Sequence, residues 1–452
     1  MDTKLLGRTL SALLLVLAVR TASAQEALSP EQEIPAALSP SPADEEFFGA
    51  GDALVTEAPA AERGDSAGTG LPEFEKVRWG GTFRLEAAGT VDAEALAEGE
   101  WTGAPGAELD LAGTFFLDAR PSEEVRILVK ARATYPFEEE GDWALREFFA
   151  DLTLEPGLLL RTGKQTVNWG VGRFWSPANV INLERIDPEN PDEELAGPVA
   201  VRLLAVRGTS NLSAYALLQD MEEDGTVGIA AKAEGVIGGT ELSLAGVWRP
   251  DRPWAAAVTA TGPALGLDLY AEAVVRGGGR RTCVVEDGGA PLGVSAETRE
   301  AEPAFQGTLG FSWTWSDETE AWNLAASAQY LRNGAGYADT DLFTTYAAGV
   351  AALAAAGQIG PEDLYLRGRN YAAASLALSD IARNGAGLSL LWLGGLDDRS
   401  GKITAAASYS GFKNLRIALS YGERYGREGS EYGFPGPRRT LGLSVETTGL
   451  SF

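Results

Sequence analysis

Trp322-Asn323-Leu324-Ala325-Ala326-Ser327-Ala328-Gln329-Tyr330 puts Trp, Leu, Ala, Ala and Tyr on one face of an extended chain. Asn, Ala, Ser and Gln take the other face. Phe305, Leu309, Phe311, Trp313 and Trp315 repeat the period, with Gln306, Thr308, Ser312 and Thr314 between them. So do Leu265, Leu267, Leu269, Ala271 and Ala273 against Asp268, Tyr270 and Glu272. Strict alternation over about ten residues, with aromatics at the segment ends, is the pattern of a strand that turns one face to lipid and the other to a polar lumen. Strands of a soluble sandwich are shorter.

Working outward, eighteen such segments can be marked between Val77 and Phe452. They are 77–88, 107–118, 124–135, 143–154, 158–166, 199–207, 211–219, 226–236, 240–249, 253–261, 265–276, 304–315, 319–331, 369–379, 384–394, 401–410, 413–422 and 440–452. Connections after even segments are short, as in Glu155-Pro156-Gly157, Ile237-Gly238-Gly239 and Gly262-Pro263-Ala264. Those after odd segments are mostly long: 89–106, 167–198, 277–303, 332–368 and 423–439, with 250–252 as the exception. Short turns on one side, long loops on the other and an even count predict an all-β fold: a transmembrane antiparallel β-barrel of 16–18 strands, with both chain ends on the periplasmic side.

Composition narrows the function. The 452 residues carry a net charge of −27, no His and one Cys, Cys283. Without His there are no His-ligated metals and no His-based triads, and one Cys gives neither a disulfide framework nor a Cys-cluster zinc site. No residue set reads as a metal or cofactor site, and an enzyme is not expected. The acidic balance argues against nucleic acid, which needs a basic face.

The N-terminus reads as an export signal. Lys4 and Arg8 precede an apolar stretch from Leu10 to Val19, and Ala22-Ser23-Ala24 supplies a small-residue cleavage site. Residues 1–24 are therefore read as a signal peptide. Residues 25–76 are rich in Ala, Pro, Ser and Glu and carry twelve acids against Arg63 and Lys76, a net −10. Such a segment repels itself and cannot bury a core, which makes it a disordered periplasmic linker before a barrel at 77–452.

The chain closes on Leu450-Ser451-Phe452. A terminal Phe with alternate apolar residues resembles the insertion signal of outer-membrane barrels. Leu441, Leu443 and Val445 lie in the opposite phase from Leu450 and Phe452, so a bulge is expected near Thr447-Thr448. Deleting Phe452 is expected to lower assembled protein in the outer membrane. Unchanged surface abundance and heat-modifiable gel mobility would refute this.

Arg161-Thr162-Gly163-Lys164-Gln165-Thr166-Val167-Asn168-Trp169-Gly170, followed by Arg173-Phe174-Trp175-Ser176-Pro177-Ala178-Asn179, resembles bacterial outer-membrane porins of the phosphate-selective and alginate-export type. The resemblance implies passive diffusion of small hydrophilic solutes or ions. Gly163, Trp169 and Gly170 would serve equally to shape a strand end and an aromatic girdle. Expected partners are outer-membrane lipid, the barrel-assembly machinery and those solutes, with a homotrimer as one oligomeric state open to it. The location implied is the bacterial cell outer membrane.

Parity assigns the lumen wall. Arg84, Arg126, Lys130, Arg132, Glu147, Asp151, Arg161 and Arg202 point inward, and opposite charges on neighbouring strands suit cross-ladder pairing. A barrel of this width leaves an aqueous channel unless a loop or plug enters. The loop 167–198 carries Glu184, Asp187, Glu189, Asp192, Glu193 and Glu194 against Arg173 and Arg185. The resemblance implies that this loop, the third connection on the long-loop side, folds inward as a constriction, its acids facing Arg84, Arg126, Lys130 and Arg132; an external, solvated loop is the other reading. Such a charge arrangement would select solutes by charge. Residues 341–356 are Ala-rich and read as helix stopped by Gly357, either covering the mouth or tucked inside. Residues 77–452 keep a net −19, much of it in long loops, which favours cations weakly. A structural or adhesive surface protein with a plugged barrel is the alternative class.

Overall fold

The computed structural model describes residues 77–90, 108–136, 142–221, 225–250, 252–317, 319, 321–433, 438–447 and 450–451. The expectations for residues 1–76 and for Phe452 lie outside these residues, as does the side chain of Leu450.

The chain runs β1 Val77–Thr90, β2 Glu108–Ser122, β3 Val125–Pro136, β4 Asp142–Glu155, β5 Leu158–Lys164, β6 Val199–Arg207, β7 Ser210–Leu217, β8 Gly228–Ile237, β9 Thr240–Trp248, β10 Trp254–Ala264 and β11 Leu267–Gly277. It continues through β12 Arg280–Glu286, β13 Val294–Glu300, β14 Ala304–Ser316, β15 Asn323–Asn333, α1 Asp341–Thr345 and α2 Ala347–Ala355. The last elements are β16 Asn370–Ile381, β17 Ala386–Gly395, β18 Ser400–Phe412, β19 Leu415–Tyr425, β20 Arg439–Thr447 and β21 Leu450–Ser451. All but β12 and β13 belong to one antiparallel sheet that closes on itself through β1, which pairs with β2 on one side and with β20 and β21 on the other. Counted as one broken strand, β20 and β21 complete an eighteen-strand barrel.

The break is a register step. Arg84 of β1 faces Glu446, whereas Gly81 faces Leu450, one residue out of step. The register thus shifts by one residue between Thr447 and Leu450, where the phase change in sequence calls for a bulge. The Thr447 hydroxyl helps close the seam by accepting the Phe83 N–H at 2.8 Å.

The period-two pattern sorts the two faces. Trp79, Phe83, Leu85, Leu111, Phe115, Leu244 and Leu309 stand exposed on the outside. Ser213, Lys232, Ser243, Thr259, Glu272, Thr308, Ser327 and Lys402 are buried on the inside. An outer apolar surface this extensive is at home in lipid. Inner hydroxyls pair across strands, Ser243 with Thr259 at 2.6 Å and Ser327 with Ser375 at 2.7 Å. Outward aromatics also cover glycines opposite them: the Phe83 ring lies over Gly113, and Trp254 over Gly277.

Two features depart from the sequence reading. The turn after β10 is Leu265-Gly266, not Gly262-Pro263-Ala264, because both residues take left-handed backbone (φ 59° and 76°) and form a two-residue hairpin. Leu265 accordingly stands outside the strand that alternation predicts over 265–276, which begins at Leu267. The long connection 277–303 is no plain loop: β12 and β13 pair within it as a separate hairpin.

Candidate functional site

Near the short-turn end, wall charges form a ladder. Asp118 on β2 accepts Nε of Arg126 at 2.9 Å, and Asp151 on β4 lies 4.0 Å from the same guanidinium. Arg161 on β5 grips Asp151 with two bonds of 2.6 and 3.1 Å and stacks 4.0 Å above the Phe149 ring. Arg202 on β6 faces Arg161 in register and lies over the Tyr215 ring at 5.6 Å. A bidentate fork fixes Arg126 on Asp118 and Arg161 on Asp151 far better than a single contact does. Arg126 is therefore committed to Asp118 and Asp151 rather than to the loop, and Arg84 sits 3.6 Å from Glu86.

Residues 165–198 leave β5 and cross the barrel. Gly163 begins the departure: its φ is 124°, and a Cβ would lie 2.1 Å from the Phe148 carbonyl oxygen, so only glycine fits. Glu147 accepts the Thr166 N–H at 3.3 Å. The loop then touches strands around the ring. Arg249 just beyond β9 donates to the Ile181 carbonyl at 3.0 Å. Gln329 on β15 accepts the Phe174 N–H at 2.8 Å and donates to the Trp175 carbonyl at 2.5 Å. Lys402 on β18 reaches Glu189. A segment that meets the polar face of β4, β15 and β18 at once lies inside the ring. Trp169, Phe174, Trp175 and Ile181 are buried there. Trp169 packs edge-on to Tyr215 at 5.7 Å within the lumen, so it forms no part of an outer girdle.

The loop acids meet bases directly. Glu194 lies 2.5 Å from Lys130 and Glu193 2.5 Å from Arg132, both on β3. Glu184 pairs with Arg146 at 2.9 Å, and Asp192 with Arg173 of the loop itself at 3.4 Å. Asp187 accepts the Glu189 N–H at 2.9 Å. Of the four bases expected to face the loop, Lys130 and Arg132 do so, while Arg84 and Arg126 pair along the wall. The charges interlock as contact pairs rather than standing on two sides of a gap.

Sequence parity misses Arg146. Lys130 faces Glu147 and Ala131 faces Leu145, so Arg146 is the extra residue of a bulge and reaches inward beside Glu147. Glu272 and Lys402 fall on inward faces by parity, but nothing in one-dimensional order links them to residues about one and two hundred positions away.

The long-loop side carries a packed cap. Val284 and Val294 of the β12–β13 hairpin, Phe343 of α1, Val350 of α2 and Ile359 form one apolar cluster. Gly357 (φ 67°) ends α2 and donates to the Ala354 carbonyl at 2.9 Å. Arg185 of the crossing loop meets Glu362 at 3.0 Å and the Tyr365 ring at 5.1 Å. Beside it, the Tyr371 hydroxyl donates to the Glu431 carboxylate and accepts the Gly368 N–H at 2.6 Å. The Glu431 N–H donates to Asp398 at 2.7 Å, and Arg367 donates to the Gly429 carbonyl at 3.1 Å. Burial pushes the Glu431 carboxyl up to about 7.

No protein-family model matches the chain, and no curated protein matches it. Solved structures do. Acinetobacter baumannii OccAB1 is 11% identical, with 84% of this chain and 97% of that one covered and a TM-score of 0.47. The outer membrane protein OpdK of Pseudomonas aeruginosa is 8% identical, covering 84% and 99%, with a TM-score of 0.48. Pseudomonas aeruginosa OccK3 (OpdO) is 11% identical, covering 84% and 96%, with a TM-score of 0.46.

Proposed function

We propose that the protein is a porin-like channel of a bacterial outer membrane, through which small hydrophilic solutes or ions diffuse passively. The observation that carries this reading is a closed eighteen-strand barrel, apolar outside and charged inside, crossed by one long loop. A ring of that size is too wide for its own side chains to fill. The lumen wall of Arg126, Asp151, Arg161 and Arg202, and the loop acids held on Lys130, Arg132 and Lys402, line the passage as fixed charges. Asp187, Glu189, Asp192, Glu193 and Glu194 form the constriction in this reading, and Leu450 and Phe452 the insertion signal. Residues 1–24 act as the export signal and 25–76 as a periplasmic spacer. In this reading the barrel-assembly machinery inserts the chain, and a homotrimer is one oligomeric state open to it. Chemistry on the solute is no part of the function.

The test is a planar-bilayer recording of the purified protein with ion substitution. Discrete conductance steps with a weak cation preference are expected, the preference fading as salt rises past about 0.1–0.2 M and the Debye length falls below roughly 10 Å. A barrel that inserts and never conducts would instead be a plugged surface protein.

A further inference from the structure

Glu272 projects from β11 into the crossing loop and is 4% exposed. Its Oε1 accepts the N–H of Val171 and of Gly172, both at 2.6 Å, and the Ser176 hydroxyl at 2.8 Å. Its Oε2 accepts the Ala178 N–H at 2.8 Å. Three amides and a hydroxyl within residues 171–178 thus converge on one carboxylate, as they would on a bound anion. The glycines make the shape: a Cβ on Gly170 would lie 1.5 Å from Ser176 Oγ and 2.8 Å from Glu272 Oε1, and one on Gly172 would lie 2.2 Å from the Trp175 carbonyl oxygen.

We infer that Glu272 is the positioning residue of the aperture, a wall carboxylate occupying an anion nest that the loop builds. The inference rests on the channel reading. The loop's ion pairs are partly open to the lumen, their bases 11–28% and their acids 33–52% exposed, so each is partly screened and contributes less than a dry carboxylate. The bonds to Glu272 are charge-assisted and dry, and removing the carboxylate leaves four donors unsatisfied. Because the nest recognises a carboxylate and not the chain that carries it, a small free carboxylate should fill it once the side chain is cut back.

The test compares wild type, Glu272→Ala and Glu272→Gln at full length in planar bilayers, with and without formate. Glu272→Ala should raise the frequency of loop-displaced openings at least about tenfold, the worth of one hydrogen bond to a charged group. Formate should quieten Glu272→Ala and leave wild type unchanged. Glu272→Gln keeps the volume but swaps an acceptor for a donor, so it should be noisy and not rescued. Wild-type traces from Glu272→Ala, or formate acting equally on wild type, would overturn the inference. If Glu272→Ala does not insert, protease cleavage within 167–198 of the assembled Glu272→Gln barrel decides: increased cleavage supports the anchor and unchanged cleavage refutes it. A wild-type barrel that never conducts would sink the channel reading alone, because the cleavage comparison needs no current.

Discussion

Replacing Asp187, Glu189, Asp192, Glu193 and Glu194 together by their amides is expected to turn the channel toward anions. Glu189 holds Lys402, Glu193 holds Arg132, Glu194 holds Lys130 and Asp192 holds Arg173. The substitution removes five negative charges and leaves these four bases without their partners. All four lie on or against the loop that crosses the lumen, where fixed charge acts on the ions that the proposed channel passes. A change of about one kT in local potential alters the cation-to-anion ratio about sevenfold, and surface potentials reach several kT. The reversal potential in a KCl gradient reads this directly, and the shift should shrink as salt rises. An unmoved reversal potential would mean that the ladder of Arg126, Arg161 and Arg202 governs permeation and that the loop does not form the constriction.

The second large effect is one of pH on the cap. Burial raises the Glu431 carboxyl from its ordinary value to about 7. Between those two values the folded loop binds one proton more than the unfolded loop, so its stability falls as pH rises through that window. The packing around Tyr371, Asp398 and Arg367 is firmest in acid and has lost on the order of 3 kcal/mol once the pH passes about 7. Amide hydrogen exchange at residues 426–433, corrected for intrinsic rates, should show protection near pH 5 that weakens near pH 8. Glu431→Gln can still accept from Tyr371 and carries no charge, so it should hold its protection across the range. The same pH dependence in that variant would assign the effect to another group.

How far these residues could be read without coordinates depends on the range of the interaction. Alternation such as Trp322 to Tyr330 is local, and it marked every wall strand and the broken last one. Parity placed Arg126, Lys130, Asp151 and Arg161 on the inner face for the same reason. It failed at Arg146, where one inserted residue turns the side chain inward, and at Leu265, whose left-handed backbone leaves no trace in hydropathy. The β12–β13 hairpin was hidden because Val284 and Val294 pack against α1 and α2 and not against lipid, so its pattern has no outer face. The loop acids were legible as a cluster, but their partners were not. Whether Arg126 turns to Asp118 or to the loop is settled by distances between strands, which residue order does not contain.

The contact between Glu189 and Lys402 spans 213 positions, and that between Gln329 and Phe174 spans 155. Neither can form until the strand bearing the distant partner has joined the wall, and long-range closure of this kind is slow. The partners that lie near the crossing loop in the chain are Glu147 and Arg146. Glu272, Gln329 and Lys402 hold it from strands set progressively farther along the chain. The loop is therefore fully docked only when the wall that carries all of these partners is in place, the seam between Phe83 and Thr447 included. The docking of this loop thus reports on the completion of the wall.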